Sequence, residues 1–300
     1  MKSKGFGTLA KKIIAAIFFA TAISAVAVGC AGKEKGLAGV TVSSAEEFLD
    51  ALKNKEAVVY AEDLTFAEDT KIQLNYDLTI VGSGGKSTFR NVCFDVVGPN
   101  TAGEKISVAI ENVVFDGGYR GALPEEGDKS FEEIFGGERD DKRCINADLG
   151  YADLKLKGCE ITGYAAADGS AIHFGNKYRD EAMSFTLENC AFYGNIARFG
   201  TVKVYNDKLT TRISGSRFYE NTVGAAGGFV VSNGKATVED CVVENNIYYP
   251  FADLGYEERG GGIFFGGVDV EMKDCAIRNN ETVRGEDSPS ARRFPATGRC

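Results

Sequence analysis

The stretch LENCAFYGN (187–195) recurs as ISGSRFYEN (213–221), VEDCVVENN (238–246) and MKDCAIRNN (272–280). Looser copies stand earlier: FRNVCFDVV (89–97), IENVVFDGG (110–118) and LKGCEITGY (156–164). In each full copy the fourth residue is small, the sixth apolar and the last asparagine. Seven copies of one phrase describe a repeat protein. The fourth position runs through Val92, Val113, Cys159, Cys190, Ser216, Cys241 and Cys275, at intervals of 21, 46, 31, 26, 25 and 34 residues. The shortest intervals set the unit, and the longer ones are the same unit carrying insertions. Periods of this size belong to solenoids.

Within a copy the apolar residues alternate as in strands. Phe185, Leu187, Cys190 and Phe192 are inward candidates, and Thr186, Glu188, Ala191 and Tyr193 face out. From Leu187 to Cys190 is an odd step, so the chain must bend between them. The residue before the fourth position is always Asn, Gly or Asp: Asn91, Asn112, Gly158, Asn189, Gly215, Asp240 and Asp274. These types tolerate left-handed backbone angles and let two short strands meet at a sharp corner. Strands entered through glycine follow in GSAIHF (169–174), FGTVKVY (199–205), GGFVVS (227–232) and GGIFFGG (261–267). Three short strands per coil predict an all-β chain, a parallel β-helix in which like residues stack on like about 4.8 Å apart. The fourth position is then one file of its core.

Composition agrees with this reading. The 300 residues include 37 Gly, 20 Phe, 5 Pro and no Trp, enough apolar material for one domain with many tight turns. The N-terminus is separate. MKSKGFGTLAKKIIAAIFFATAISAVAVGC has a basic start and an apolar run, the order of an export signal. Ala27-Val28-Gly29-Cys30 resembles the lipobox of bacterial lipoproteins, with Ala27 where Leu is commonest. The resemblance implies cleavage before Cys30, lipidation of its thiol, and a protein tethered to a membrane on the extracytoplasmic side. Removing residues 1–29 takes away four lysines and no acid, so the net charge falls from −9 to −13. That sign excludes a phosphate-backbone partner, and no nucleic acid is expected.

The expected division is a signal peptide (1–29), a tether (30–41), an N-terminal capping helix (42–55), a β-helix of about eight to nine coils (56–280) and an irregular tail (281–300). In VSSAEEFLDALKN (42–54), Ser44 and Glu47 make a capping box and Phe48, Leu49 and Leu52 an apolar stripe. Such a helix covers the open end of a β-helix. The tail has no strand alternation and leaves the last coil uncapped, which implies either cover by a partner chain or a disordered segment, or a truncated or frame-shifted product. Cys159, Cys190, Cys241 and Cys275 share a position with Val and Ser, so stacked buried thiols are expected rather than bridges. Cys93 and Cys144 have no evident partner.

The FxxN-like ends (FYGN 192–195, FYEN 218–221) and GGAI-like starts (GSAI 169–172, GGFV 227–230, GGGI 260–263) resemble the repeats of polymorphic outer-membrane proteins, surface adhesins built on a right-handed β-helix. The resemblance covers about residues 156–280. It implies the right-handed coil, which parallel crossovers favour generally, and a non-catalytic, adhesin-like binding module for polysaccharide or a surface protein. No C-terminal barrel follows, and the lipid would replace that anchor. The pectate-lyase-like superfamily shares the helix and its lid, and implies the alternative, a polysaccharide lyase or hydrolase. That activity needs clustered carboxylates and a base, whereas the glycine-led strands offer Lys203, Val230 and Phe264 outward. His173, the only histidine, is placed beside Lys203 and reads as structural. Arg293-Phe294-Pro295 lies outside any strand pattern.

Two insertions are left as ligand-binding candidates, GALPEEGDKSFEEIFGGERDD (121–141) and YYPFADLGYEE (248–258). Long loops on a rigid scaffold commonly carry recognition. Tyr248, Tyr249 and Tyr256 suit stacking on sugar rings, and Glu125, Glu126 and Asp128 suit a cation. No calcium-binding pattern of known spacing is present, so no cofactor is expected. Both loops leave one edge of the stack about four rungs, roughly 19 Å, apart.

Overall fold

The computed structural model describes residues 38–101, 103–121, 123, 129–135, 142–175, 181–225, 227–249, 251, 262–282 and 298–299. One coil shows how the phrase folds. The strand Met183–Glu188 runs to Asn189, which turns it at φ 54° into Ala191–Tyr193. Gly194 turns it again at φ 61° into Ile196–Phe199, and Gly200 at φ 58° into Val202–Tyr205. The chain then passes to Leu209–Ser214, directly beside the strand it began with.

Parallel pairing of successive coils builds three sheets. The first has nine strands, from Val40–Val42 to Asp269–Lys273. The second has fourteen strands and two arms joined by the long bent strand Ser87–Val97. Its phrase arm runs through Val113–Asp116, Glu160–Thr162, Ala191–Tyr193, Arg217–Tyr219, Val242–Glu244 and Ala276–Arg278. Its glycine-led arm runs through Ile145–Leu149, Ile172–Phe174, Val202–Tyr205, Phe229–Ser232 and Ile263–Gly266. The third sheet has five strands of two to four residues: Ala165–Asp168, Ile196–Phe199, Thr222–Ala225, Ile247–Tyr248 and Glu281–Thr282.

The third sheet corrects the expectation of three strands per coil. A regular coil has four, the fourth filling what reads in sequence as a longer turn. It escapes a period-two search because it is short and its inward file is small, with Ala166, Ala197 and Val223 fully buried.

All seven expected bends have positive φ: Asn91 62°, Asn112 57°, Gly158 63°, Asn189 54°, Gly215 58°, Asp240 53° and Asp274 52°. The next residue is small because it is enclosed by the corner. All seven fourth-position residues, Val92, Val113, Cys159, Cys190, Ser216, Cys241 and Cys275, are buried. The polar ones also do hydrogen-bonding work. Cys190 donates to the Glu188 carbonyl (3.4 Å), Ser216 to Ser214 (3.0 Å), Cys241 to Glu239 (3.1 Å) and Cys275 to Lys273 (3.2 Å). Each thiol or hydroxyl thus supplies a donor to the carbonyl just before the bend. The six described cysteines are unbridged.

The closing asparagine forms a second file. Asn195, Asn221 and Asn246 are fully buried, and each amide donates to a main-chain carbonyl and to the next asparagine. The file ends at Tyr164, whose N–H donates to Asn195 Oδ1 (3.1 Å) and whose hydroxyl donates to the Val92 carbonyl (2.8 Å). The sixth-position file, Phe115, Ile161, Phe192, Phe218 and Val243, fills the core between them.

The helix α1 (Ala45–Lys53) lies against this core, with Phe48 5.5 Å from Phe89 and 5.9 Å from Phe66. Ser44 caps it through the Glu47 N–H (3.2 Å), but the Glu47 carboxylate bonds Ser43 (2.7 Å) instead of closing the box on Ser44. The buried stripe is Phe48 and Ala51, and Leu49 is exposed. Val40–Val42, expected as the end of the tether and the first residue of the capping helix, is a strand paired with Val58–Ala61. In the expected tail, Gly298–Arg299 pairs antiparallel with Ala276–Arg278, so this segment adds a strand to the last coil.

Candidate binding face

Along the glycine-led arm, outward positions of six consecutive coils form one file. Register pairs Asp95 with Asn146, Asn146 with His173, His173 with Lys203, Lys203 with Val230, and Val230 with Phe264. The sequence reading of Lys203, Val230, Phe264 and His173 as neighbours on this face is therefore met. Asp95 and Asn146 are not legible there, because the 46-residue interval hides which residue meets which.

The polar half of the file is knit together. Asn146 donates to Asp95 Oδ1 (3.2 Å) and accepts from Arg143 (3.2 Å). Arg143 also donates to His173 Nδ1. A guanidinium only donates, so in the neutral ring the hydrogen sits on Nε2. Burial, then the charges of Arg143 and Lys203, hold the imidazole neutral and lower its pKa to about 2. The ring stacks on Tyr205 at 5.3 Å, and Tyr205 donates to Asp148 Oδ1 (3.4 Å). Burial and Asp148 push the phenol well above its ordinary value. Lys203 pairs with Asp168 at 3.0 Å, and its ammonium lies 5.6 Å from both the Phe199 and Tyr205 rings. The other half is apolar: Val230 packs with Ala225, Phe199 and Phe264.

Beside the polar half is a cleft of about 200 Å³, lined by Glu68, Asn91, Cys93, Tyr119, Lys142 and Tyr164 among others. It adjoins the file through the chain itself, since Lys142 precedes Arg143 and Cys93 stands two residues before Asp95. Gly117, Gly118 and Gly163 form part of its wall, where the main chain comes close enough that a Cβ on Gly117 would lie 2.5 Å from the Gly163 carbonyl. Tyr164 is not an activated phenol. Burial pushes Tyr164 and the neighbouring Cys144 thiol well up.

The insertions take a different role from the one expected. Tyr248 is 5% and Tyr249 4% exposed, so neither offers a ring face to a sugar. Tyr248 continues the inward file of the third sheet beside Val223. Tyr249 packs with Phe251 and with Phe131 and Phe135 of a short helix, α2 (Phe131–Phe135), over Ala165 and Ile196. The two loops leave the stack four coils apart but close on each other, with Phe131 and Phe251 rings at 5.2 Å. The apolar residues hidden among the acids of both loops were the available signal. Glu125, Glu126, Asp128, Tyr256, Cys30 and Arg293 lie outside the described residues. Among the described residues no group of three or more His, Cys, Asp or Glu is placed to hold a metal, and no helix is long and apolar enough to cross a membrane.

A pH test follows from His173. Unfolded, the ring takes up a proton as pH falls through about 6.5, while the folded ring does not. Stability is then full above that pH and drops on acidification, by about 2 kcal/mol between pH 6.5 and 5. Urea unfolding across that window checks it, and His173→Gln should flatten the slope.

A family model described as "Right handed beta helix region" matches residues 100–286, more than half of the chain. A search of curated proteins finds no match.

Proposed function

Because the chain belongs to the right-handed β-helix family, we propose that it is a cell-surface lipoprotein whose β-helix binds a carbohydrate chain without turning it over. The observation that carries this reading is the file from Asp95 to Phe264. It spans five inter-coil steps, about 24 Å, and its half-exposed members run from Asp95 and Asn146 past Lys203, with the Tyr205 phenol alongside, to Phe264 at an apolar end, while His173 and Val230 lie buried between them. Neutral sugars ask for that mixture: several fixed hydrogen-bonding groups with apolar surface beside them. The site of binding is thus moved from the tyrosines of the 248–258 loop to the glycine-led arm.

Non-catalytic binding is favoured by the protonation of the groups present. His173 is neutral with Nδ1 engaged, Tyr205 keeps its proton, and Lys203 is neutralised by Asp168. None is poised to abstract a proton at neutral pH. The hydrolase alternative rests on Asp148 and Asp168, two carboxylates flanking Tyr205 and Lys203. The lipid anchor rests on the lipobox-like residues before Cys30 and is an extension of the same reading.

A glycan array followed by assays for unsaturated products and new reducing ends tests the proposal. Binding should fall at least tenfold in Lys203→Ala and in Asp148→Ala, with no product formed. Turnover that disappears in Asp148→Asn or Asp168→Asn overturns the non-catalytic reading. Labelled palmitate should enter the native protein and not Cys30→Ala, and equal labelling of both would remove the anchor.

A further inference from the structure

On the other arm of the second sheet, a different outward file runs Tyr193, Tyr219, Glu244, Arg278 on four consecutive coils. Glu244 is nearly closed off, its side chain 10% exposed, and both carboxylate oxygens are taken. Arg217 Nη2 reaches one at 2.8 Å and Arg278 Nε the other at 2.7 Å. A buried carboxylate needs one compensating charge, and this one has two. The arrangement carries a net local charge of +1.

The surplus cation is presented outward. Both arginine side chains are 55% exposed. Each guanidinium carries five N–H groups, and among the described residues the side-chain bond to Glu244 is the one each arginine makes. The Arg217 plane is held 4.9 Å from the Tyr219 ring centroid, so it is fixed on one face by the aromatic and at one edge by the carboxylate. Tyr219, half-buried beside it, has a hydroxyl held protonated chiefly by burial. Two guanidiniums brought together by one carboxylate, with a phenol alongside, form a rigid group of donors.

We propose that Arg217, Arg278 and Tyr219 form a second binding site, for a single oxyanion group, a carboxylate or a sulfate ester, carried on a glycan. Planar guanidiniums match such groups in a bidentate manner. Exposed Glu220 and the carboxylate of Glu160, which bonds Tyr193, stand close on the same face. They disfavour a densely charged polymer, as does the chain's net charge of −9. An isolated acid on an otherwise neutral sugar chain meets the +1 site without bringing further charges near those carboxylates. The site is on a different arm from the file proposed above; its oxyanion chemistry stands without that file, while the glycan carrier rests on the proposed function.

Calorimetric titration of the purified protein with methyl galacturonide and, separately, with inorganic sulfate tests it. Saturable binding of at least one probe is expected, weakened tenfold or more in Arg217→Gln and in Arg278→Gln and weakened by added sodium chloride. Lys203→Ala should leave this binding unchanged, which separates the two sites. Circular dichroism verifies that the variants fold, and Arg217→Lys, which keeps the charge and loses the fork, should retain only part of the affinity. If neither probe binds the native protein, or if binding survives both glutamine substitutions, the arginines serve only Glu244 and the proposal fails.

Discussion

Phe218→Asp should yield no folded protein. Phe218 is fully buried, stacked on Phe192 at 4.9 Å with the rings 8° from parallel and set against Phe229 at 4.7 Å. Removing the ring costs about 3–5 kcal/mol. Placing an unpaired carboxylate there costs several more. Together these match or exceed the whole stability of an ordinary domain, about 5–15 kcal/mol. The position is central in the stack, so the damage cannot be confined to a frayed end. The expected observation is insoluble protein or a far-ultraviolet spectrum without strand signal and no cooperative melt. Phe218→Leu, which fills most of the volume, should cost only about 1 kcal/mol, and a soluble, native-like Asp variant would mean that the phrase arm does not line the core.

Asn221→Ala should remove about 3 kcal/mol, an unusually large loss for so small a polar side chain. Its amide donates to the Phe192 carbonyl (2.9 Å) and to Asn246 Oδ1 (3.0 Å). Its oxygen accepts from both the main-chain and side-chain nitrogens of Asn195, each at 3.1 Å. Alanine leaves the buried Asn195 main-chain N–H without its acceptor and takes one bond each from the Phe192 carbonyl, Asn246 Oδ1 and the Asn195 amide, the last two keeping one other partner each. Asn221→Asp is the informative companion, since it keeps the acceptor, loses both donors and adds a charge, so it should be no better than alanine. Urea midpoints measure both, and a loss under about 1 kcal/mol for alanine would show that the asparagine file is only filler.

What sequence could reveal was set by how local the physical cause is. A left-handed corner can be read at Asn189 or Asp274 because the residue type and the backbone angle are linked within one residue. The same holds for Cys190 or Ser216, whose size is dictated by the corner beside it. The fourth strand was hidden because TVGA and AAAD show neither alternation nor bulk. The binding face was hidden for another reason: Asp95, Asn146, His173 and Lys203 become neighbours only once every intervening insertion has been subtracted. Tyr248 and Tyr249 misled because an aromatic in an acidic loop looks like a ligand platform, although burial of the loop's own apolar residues is the commoner use.

The meeting of Phe131 and Phe251 also has a mechanical meaning. A solenoid held only by neighbour-to-neighbour contacts yields to tension one turn at a time. Here the two loops form a clasp that joins the coil of Val113–Asp116 to that of Val242–Glu244. Peeling from the last coil reaches this clasp before it can run on, and the clasp must open before the turns it spans can separate. Under a pull along the stack, the span between those coils resists as one piece.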